Sequence, residues 1–441
     1  MEQRRKNLTQ LFIPICLETL LYMLSGMVDT LMLSSVNDQA VGAVGTANTY
    51  IGIFIIMFSV ISSGMVAVMT QNIGAGRPGV AYQARQLGLA FNAVLGVIMS
   101  LFLSLGAGTI LSGVGVADAL MQPARTYLQI VGGFCILNAL IPICSSYLRA
   151  FGFSKEPLYA SIIGNVINFC LNAFFLFVLH KGVAGVATAT VISRIINLVI
   201  VVLLGAVLVK AKQHPERESN REVMGQIIRI GLPSACETAI YNVSMTLVIR
   251  FLNQMDAQGL NVTARSYTMQ ITNFSYCVGA ALAQANAIMT GWRIGAKEYD
   301  ACDRGTRKAA IIGVIVAVIL ETMFALCSGW IMQLFSKDPQ MVSLVGKLLA
   351  IDIVLEMGRV TNLVYGQALK TSGDAVFPVV MGACFMILCS VGGTYLFGIR
   401  LGLLAVGAYI GMAGDECVRA VGMYLRWKSG KWKEKGLVKS R

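Results

Sequence analysis

Acidic residues lie inside several long apolar stretches of this sequence, where a charged side chain is costly and usually has a function. The stretch IPICLETLLYMLS at 13–25 contains Glu18, and a related stretch, LPSACETAIYNVS at 232–244, contains Glu237. Asp29 follows a few residues after the first of them, in MVDTLML. A carboxylate in apolar surroundings holds a proton more readily than one in water. Such groups can bind a proton or a cation.

Another acidic stretch, LAIDIVLEMGRVTNLVYG at 349–366, carries Asp352, Glu356 and Arg359. Their spacing of i, i+4 and i+7 places all three on one face of a helix. Two interpretations stay open: the acids form a cation site, or Glu356 and Arg359 neutralise each other as a structural ion pair. The stretch GDECVRA at 414–420 is more typical of a cluster that neutralises itself.

Glu18 and Glu237 are expected about ten residues into their helices, which is roughly 15 Å at the rise of an α-helix. That depth is close to the middle of a membrane, where a carboxylate facing lipid is destabilising. We therefore predict that the two glutamates face each other across a cavity and bind a cationic substrate or the coupling ion. The alternative is that each is a hydrogen-bonded carboxyl that packs its own half of the chain.

The sequence offers little for catalysis. It has two histidines, His180 and His214, which fall in connections or at the ends of apolar stretches. Without a nucleophile beside a base, or ligands at metal-binding spacing, we predict no catalytic residues, no metal site and no cofactor other than the coupling ion. A membrane-embedded enzyme is the least favoured class.

The elements that carry these residues are membrane helices. Hydrophobic residues make up 56% of the 441 residues and charged residues 13%, whereas soluble domains carry about a quarter charged residues. Runs long enough to span a bilayer, without strand-like alternation, predict an all-α polytopic membrane protein with twelve transmembrane helices. These runs are 8–34, 46–70, 87–112, 126–149, 157–180, 183–210, 227–253, 268–290, 308–334, 344–368, 374–398 and 401–424.

Lys and Arg concentrate in alternate connections and in both termini. The other side of the predicted membrane receives only Arg125, Lys181, Arg265, Lys337, Lys347 and Arg400. The positive-inside rule then places both termini in the cytoplasm of a cell with this protein in its cytoplasmic (inner) membrane. The net charge of +13 reflects this topology, and the basic tail is expected to contact anionic lipid headgroups rather than nucleic acid.

The chain contains two copies of one six-span unit. Pro14, Glu18 and Tyr22 recur 219 positions later, and YLRAFGFSKEP at 147–157 aligns with ALKTSGDAVFP at 368–378. An even number of spans per copy predicts a parallel repeat of two six-helix bundles, with a substrate cleft between them. We predict an N-lobe, a cytoplasmic linker, a C-lobe and a basic tail, at 1–210, 211–226, 227–424 and 425–441.

Several motifs together resemble the multidrug and toxic compound extrusion (MATE) transporters. They are GMVDTLMLSSVNDQAVGAVGTANTYIGIF, QNIGAGRPGVA, NVINFCLNAFFLF, GVAGVATATVISR and the GLP that opens the seventh span. The resemblance covers almost the whole chain. It implies a cation-coupled antiporter in which two bundles alternately open a central cavity to either side of the membrane.

The resemblance also implies site residues. Asp29 matches the acid at which proton-coupled members are protonated, and Asn168 and Thr190 match its polar partners. The family pattern N-x-x-L-D reads Asn168-Phe-Cys-Leu-Asn172 in this chain, and an amide cannot titrate, so a relay with two acids is in doubt.

Sodium-coupled members place the cation between acids on spans seven and ten. Glu237 and Glu356 are the nearest acids in this chain, although Tyr241 and Gly358 lie closer to the family's positions, and Arg359 would compete with a cation for Glu356.

The sequence thus predicts a monomeric exporter of small organic, often cationic, compounds, embedded in a lipid bilayer and driven by a proton or sodium gradient through rocker-switch alternating access. The alternative is an exporter or flippase of anionic or lipid-linked substrates from the same superfamily, which Arg194 and Arg359 keep open.

Overall fold

The computed structural model describes residues 6–35, 38–113, 116, 118–210, 216–256, 259–333 and 335–438. The start of the predicted linker, with His214, and the last three residues of the tail lie outside these ranges. Within them the chain forms helices, and no strand occurs. The structure divides into two compact units, Met1–Leu232 and Pro233–Arg441, which we call the N-unit and the C-unit.

The helices of the N-unit cover the first six predicted spans. They are α1 (Leu8–Ser34), α2 (Asp38–Gly74), α3 (Pro78–Gly113), α4 (Asp118–Tyr127), α5 (Ile136–Ala150), α6 (Lys155–Ala173) and α7 (Gly182–Leu208). π-Helical turns extend α4 over Leu128–Gly132 and α6 over Phe174–Val178. The fourth predicted span is therefore a broken helix, bent by 43° between Leu120–Gly132 and Ile136–Ala150.

The second set of helices covers the other six predicted spans. They are α8 (Asn220–Met255), α9 (Leu260–Gly295), α10 (Tyr299–Leu326), α11 (Ser328–Met332), α12 (Pro339–Ser372), α13 (Val376–Phe385) and α14 (Leu404–Lys428). π-Helical segments, Met386–Val391 and Thr394–Arg400, complete the span that begins with α13. The boundary between the two units falls inside α8, whose first turns belong to the N-unit.

The apolar run predicts that this helix starts at residue 227, but α8 begins at Asn220. Its first turns pack on α2. A Cβ atom at Gly64 would lie 2.0 Å from the carbonyl oxygen of Ile227, and one at Gly231 would lie 1.7 Å from that of Val60. Only glycine permits this backbone-to-backbone contact. The GLP motif therefore supplies a contact surface as well as the start of a predicted span.

α9 also begins earlier than predicted, at Leu260 instead of residue 268. Gly259 precedes it with a left-handed φ of 72°. The Asp256 carboxylate accepts hydrogen bonds from the backbone N–H groups of Leu260 at 2.8 Å and Asn261 at 3.0 Å. Desolvation alone would raise the pKa of Asp256, but the hydrogen bonds outweigh it and lower this pKa. The cap starts the helix within a polar segment that a hydropathy pattern cannot recognise.

Four long helices of the described chain are more polar than the other predicted spans. Seven helices are long and apolar enough to cross a membrane, and the bent pair makes an eighth. The remaining four are α8, α9, α12 and α14. α12 packs against α9, α10 and α14, so its polar positions face other helices rather than lipid.

The basic tail folds back on the C-unit. A short helix at Lys431–Lys435 places Trp432, 1% exposed, parallel to Trp427 with ring centroids 4.1 Å apart. Trp427 donates a hydrogen bond from Nε1 to Asp303 at the start of α10. This part of the tail, predicted to contact lipid headgroups, is anchored by two tryptophans to the protein itself.

Candidate functional site

The C-unit encloses a cavity of about 400 Å³. Its walls come from the four more polar helices, α8, α9, α12 and α14, and from Met386 beyond α13. Its charged lining residues are Glu237, Asp352, Glu416, Arg265, Arg359, Lys370 and Arg419. Tyr241 lies beside them, as do Tyr276, Tyr409 and several amide and hydroxyl side chains. A volume of this size is within the range of small-molecule sites.

Arg359 is the centre of an ion-pair network that joins α12 to α14. It pairs with Glu356 one turn earlier on its own helix, and its Nε lies 3.3 Å from Glu416. Arg419 continues the network, 3.0 Å from Glu416 and 2.9 Å from Asp415. The pair Glu356–Arg359, one of the two interpretations left open by the sequence, therefore forms.

The cluster in GDECVRA also forms, but it is connected to α12 and its members Glu416 and Arg419 line the cavity. The close approach of the two helices explains the link. A Cβ atom at Gly358 would lie 2.8 Å from the backbone of Glu416 and Cys417, so the glycine at this position lets the side chains of α12 and α14 meet.

Two acids of the C-unit have no basic partner of this kind. Asp352 is 2% exposed and its Oδ2 has no hydrogen-bond partner in the described structure, while Glu321 of α10 is 0% exposed and lacks one at either oxygen. Glu321 lies beside Ser275 and within electrostatic range of Asp352 and Glu356. Arg359 is within electrostatic range of both Glu321 and Asp352. A buried carboxylate without a partner is strongly destabilising when ionised. Each of these two acids is therefore suited to bind a proton or a cation.

Glu18 and Glu237 each pair with a base in their own unit. Glu18 of α1 lies 2.6 Å from Arg149, and Glu237 of α8 lies 2.5 Å from Lys370. Arg149 and Lys370 stand at aligned positions of the repeat, each in the last turn of its helix. The two pairs are thus one contact that occurs twice. The glutamates lie well inside α1 and α8, whereas their basic partners lie at helix ends.

In the N-unit, the structure brings together three of the predicted residues. Asn172 of α6 donates a hydrogen bond from Nδ2 to Asp29 at 2.6 Å, and the same nitrogen lies 3.2 Å from Asn168 Oδ1. Thr190 instead donates to the carbonyl of Val186 in its own helix. Arg194 lies within electrostatic range of Asp29. The amide that replaces the family's second acid therefore orients the remaining carboxylate.

Sequence reasoning missed Arg265. It was assigned to the basic residues outside the membrane, but the structure places it on α9, 6% exposed and lining the cavity. The error follows from the early start of α9: Arg265 lies after the cap at Asp256 and before the apolar run at 268. The capping sequence Asp-x-x-Gly before it is the signal that could have extended the helix.

Comparisons with known proteins agree with this architecture. The MatE family model matches residues 14–174 and 233–396. The uncharacterized transporter YisQ of Bacillus subtilis is 33% identical over 431 residues, which cover 96% of this chain and 94% of that protein. The probable multidrug resistance protein NorM of Thermotoga maritima is 24% identical over 454 residues, covering 98% and 94%.

Among solved structures, the outward-facing conformation of a multidrug resistance MATE family transporter of the MOP superfamily is similar, with a TM-score of 0.86. It is 18% identical, and the match covers 98% of this chain and 96% of that one. The family model ends at residue 396, before α14. The part of the ion-pair network on α14 therefore lies outside the matched region.

Proposed function

The chain belongs to the MatE family of multidrug and toxic compound extrusion transporters, and from this premise we propose that it is a cation-coupled antiporter that exports small organic, often cationic, compounds. Membership of this family shows that the chain is a membrane transporter. Coupling to a proton or sodium ion, the rocker-switch mechanism and the type of substrate are the proposal.

The observation that carries the proposal is the buried carboxylate of Asp352 in the wall of the C-unit cavity, whose Oδ2 has no hydrogen-bond partner among the described residues although Arg359 lies within electrostatic range. A cationic compound in the cavity and a proton or sodium ion at Asp352 both compensate the same buried charge. They therefore compete, and the entry of one favours the release of the other. Such competition is the minimum requirement for exchange.

Glu321 extends this proposed coupling site. It lies within electrostatic range of Asp352, and two neighbouring buried carboxylates oppose each other's ionisation. A cation or proton bound to one of them lowers the cost of ionising the other. α12, which holds Asp352, contacts α9, α10 and α14, so a change of charge there acts on most walls of the cavity.

Asp29 is the proposed second site, in the N-unit. Its hydrogen bond from Asn172 stabilises the ionised carboxylate, because an amide N–H donates and a carboxylate accepts. Protonation of Asp29 removes part of that stabilisation. A proton gradient can thus act on the N-unit through a single acid, without the second acid of the family pattern.

The remaining parts of the proposal concern the setting. We place the protein in the cytoplasmic membrane with both termini in the cytoplasm, acting as a monomer on small organic molecules. It requires no cofactor other than the coupling ion and no nucleic acid.

The test is efflux of a fluorescent cationic dye from proteoliposomes, with a pH gradient alone and then a sodium gradient alone. Asp352→Asn is expected to reduce gradient-driven efflux at least about fivefold, the lower end of typical coupling between two ligands. Asp300→Asn, at the exposed start of α10, is the matched control and is expected to behave as the parent. Equal transport by the two variants would refute the site at Asp352, and failure of both gradients in the parent would refute cation coupling.

One observation favours the alternative, an exporter of anionic or lipid-linked compounds. Arg265 presents a buried positive charge to the cavity, which a purely cationic substrate would not need. Efflux of an anionic dye, with none of the cationic dye, would select this alternative.

A further inference from the structure

Arg265 is the lining cation of the C-unit cavity that lacks a carboxylate partner among the described residues. Arg359 and Arg419 are held by the acids of the network, and Lys370 is held by Glu237. The contact recorded for the Arg265 guanidinium is a weak one, from Nη2 to the sulfur of Met245 at 3.8 Å, and its Nε has no hydrogen-bond partner.

Burial does not neutralise an arginine side chain. A guanidinium remains protonated in proteins, and a buried charge without a counter-charge is destabilising. Arg265 is 6% exposed, so bulk water does little to stabilise it. The charge is therefore best compensated by an anionic group that enters the cavity. The planar guanidinium favours an oxyanion such as a carboxylate or phosphate, which it can bind with two parallel hydrogen bonds.

The same cavity holds a buried group of the opposite sign, the Asp352 carboxylate, which lies within electrostatic range of Arg359 but whose Oδ2 has no hydrogen-bond partner among the described residues. Asp352 lines it from α12, and Tyr409 of α14 lies within electrostatic range of both Asp352 and Arg265. Both charges therefore lie within electrostatic range of one aromatic side chain that lines the cavity. A compound that carries both an anionic and a cationic group complements them at the same time.

We propose that Arg265 forms an oxyanion subsite, and that the compounds bound in the C-unit cavity are amphoteric, with a carboxylate or phosphate at Arg265 and a cationic group towards Asp352. This inference rests on the proposed function for the identity of the cavity as a substrate site. It adds the chemical class of the substrate and the residue that selects its anionic group.

The test compares two dyes that differ at a single group, rhodamine B, which has a free carboxylate, and its methyl ester, which is only cationic. Both are titrated by fluorescence anisotropy against the purified full chain in a neutral detergent. The parent is expected to bind rhodamine B more tightly than the ester. Arg265→Gln is expected to weaken binding of rhodamine B about tenfold, as loss of a charge-assisted hydrogen-bond pair does, and to change binding of the ester less than about twofold.

Two further variants keep the result interpretable. Arg265→Lys retains the charge without the planar fork, so its preference for rhodamine B is expected to fall between those of the parent and Arg265→Gln. Arg250→Gln removes an exposed arginine of α8 that does not line the cavity, and it is expected to match the parent with both dyes. If Arg265→Gln does not fold, the difference between Arg265→Lys and the parent decides.

The proposal is overturned if the parent binds the ester as tightly as rhodamine B, if it binds neither dye, or if Arg265→Gln weakens the binding of both dyes equally.

A titration repeated in the presence of short-chain phosphatidylglycerol distinguishes a substrate from a lipid. Loss of the preference for rhodamine B would assign the oxyanion at Arg265 to a lipid headgroup and would overturn the proposal of an amphoteric substrate. Gradient-driven efflux is measured separately. Preferential binding without coupled efflux would support the subsite and refute the proposed function.

Discussion

Among the single side chains, the two glutamates in the repeated motif show most directly how the repeat is built. The sequence predicted that Glu18 and Glu237 are equivalent, favoured a binding role for Glu237, and left binding and packing open for Glu18. The structure gives each a basic partner, Arg149 and Lys370, from the aligned motif of its own half. The alignment of the two halves contained this information, because it pairs the bases as well as the acids. Pairing across some 130 residues is a tertiary contact that no local pattern reveals.

The pair in the C-unit can be tested by exchanging its charges. Glu237→Lys or Lys370→Glu alone brings two like charges into contact, and we expect each to abolish most dye efflux and to lower the yield of folded protein. The double exchange restores an ion pair and is expected to recover the yield. Yield is measured by gel filtration of the detergent extract.

Transport by the double variant then shows what the pair does. Both side chains line the cavity, so recovery of yield without recovery of efflux would indicate a direct role in binding. The corresponding exchange of Glu18 and Arg149 serves as the comparison. Normal yield and efflux in both single variants would show that the contact has no importance.

Only some of the other candidate residues contact one another as predicted. Asp29, Asn168 and Asn172 meet, while Thr190 bonds within its own helix. Arg265 was not selected from the sequence as a site residue, and Glu321 was recognised as one of the acids inside the predicted spans, in the run 308–334. Their significance comes from the absence of a partner in the described structure, which depends on how every neighbouring helix is placed.

Between helices, glycine positions determine how closely backbones approach. Gly64→Ala in α2 would place a methyl group 2.0 Å from the Ile227 carbonyl oxygen of α8. Because that oxygen belongs to the backbone, it cannot move aside as a flexible side chain does. We expect a loss of about 1–3 kcal/mol of stability, typical of overpacking, seen as a lower apparent melting temperature in thermal gel filtration.

Gly45→Ala is the control for this variant, because it lies in the same helix and its Cβ would have no neighbour within 4 Å. We expect it to be neutral, or stabilising by roughly 0.5–1 kcal/mol through the higher helix propensity of alanine. Equal melting temperatures for the two variants would contradict the proposed contact between α2 and α8.

The helices themselves were largely predictable. Each of the twelve apolar runs corresponds to a helix or to two or three consecutive helical segments, and the all-α membrane fold is confirmed. The boundaries were less accurate for α8 and α9, where polar turns precede the apolar part. Capping by Asp256 and the glycine contacts of α8 extend these helices, and neither effect appears in a hydropathy profile.

For the chain as a whole, the distribution of Lys and Arg predicts that both ends lie in the cytoplasm. A green fluorescent protein fused after Arg441 is expected to be fluorescent, whereas alkaline phosphatase at the same position is expected to be inactive. Alkaline phosphatase inserted after Gly402, in the connection between the π-helical segment that ends at Arg400 and the start of α14 at Leu404, is expected to be active. The opposite pattern would reverse the topology and with it the direction assigned to transport.

The paired glutamates also bear on the history of the molecule. If the two halves descend from one duplicated segment, an acid–base contact between its first and fourth spans existed before the copies diverged. Since then one copy has Arg149 and the other Lys370, so the positive charge persisted while the side chain that carries it changed. The ion pair is therefore a property of the repeated unit and not of either half alone.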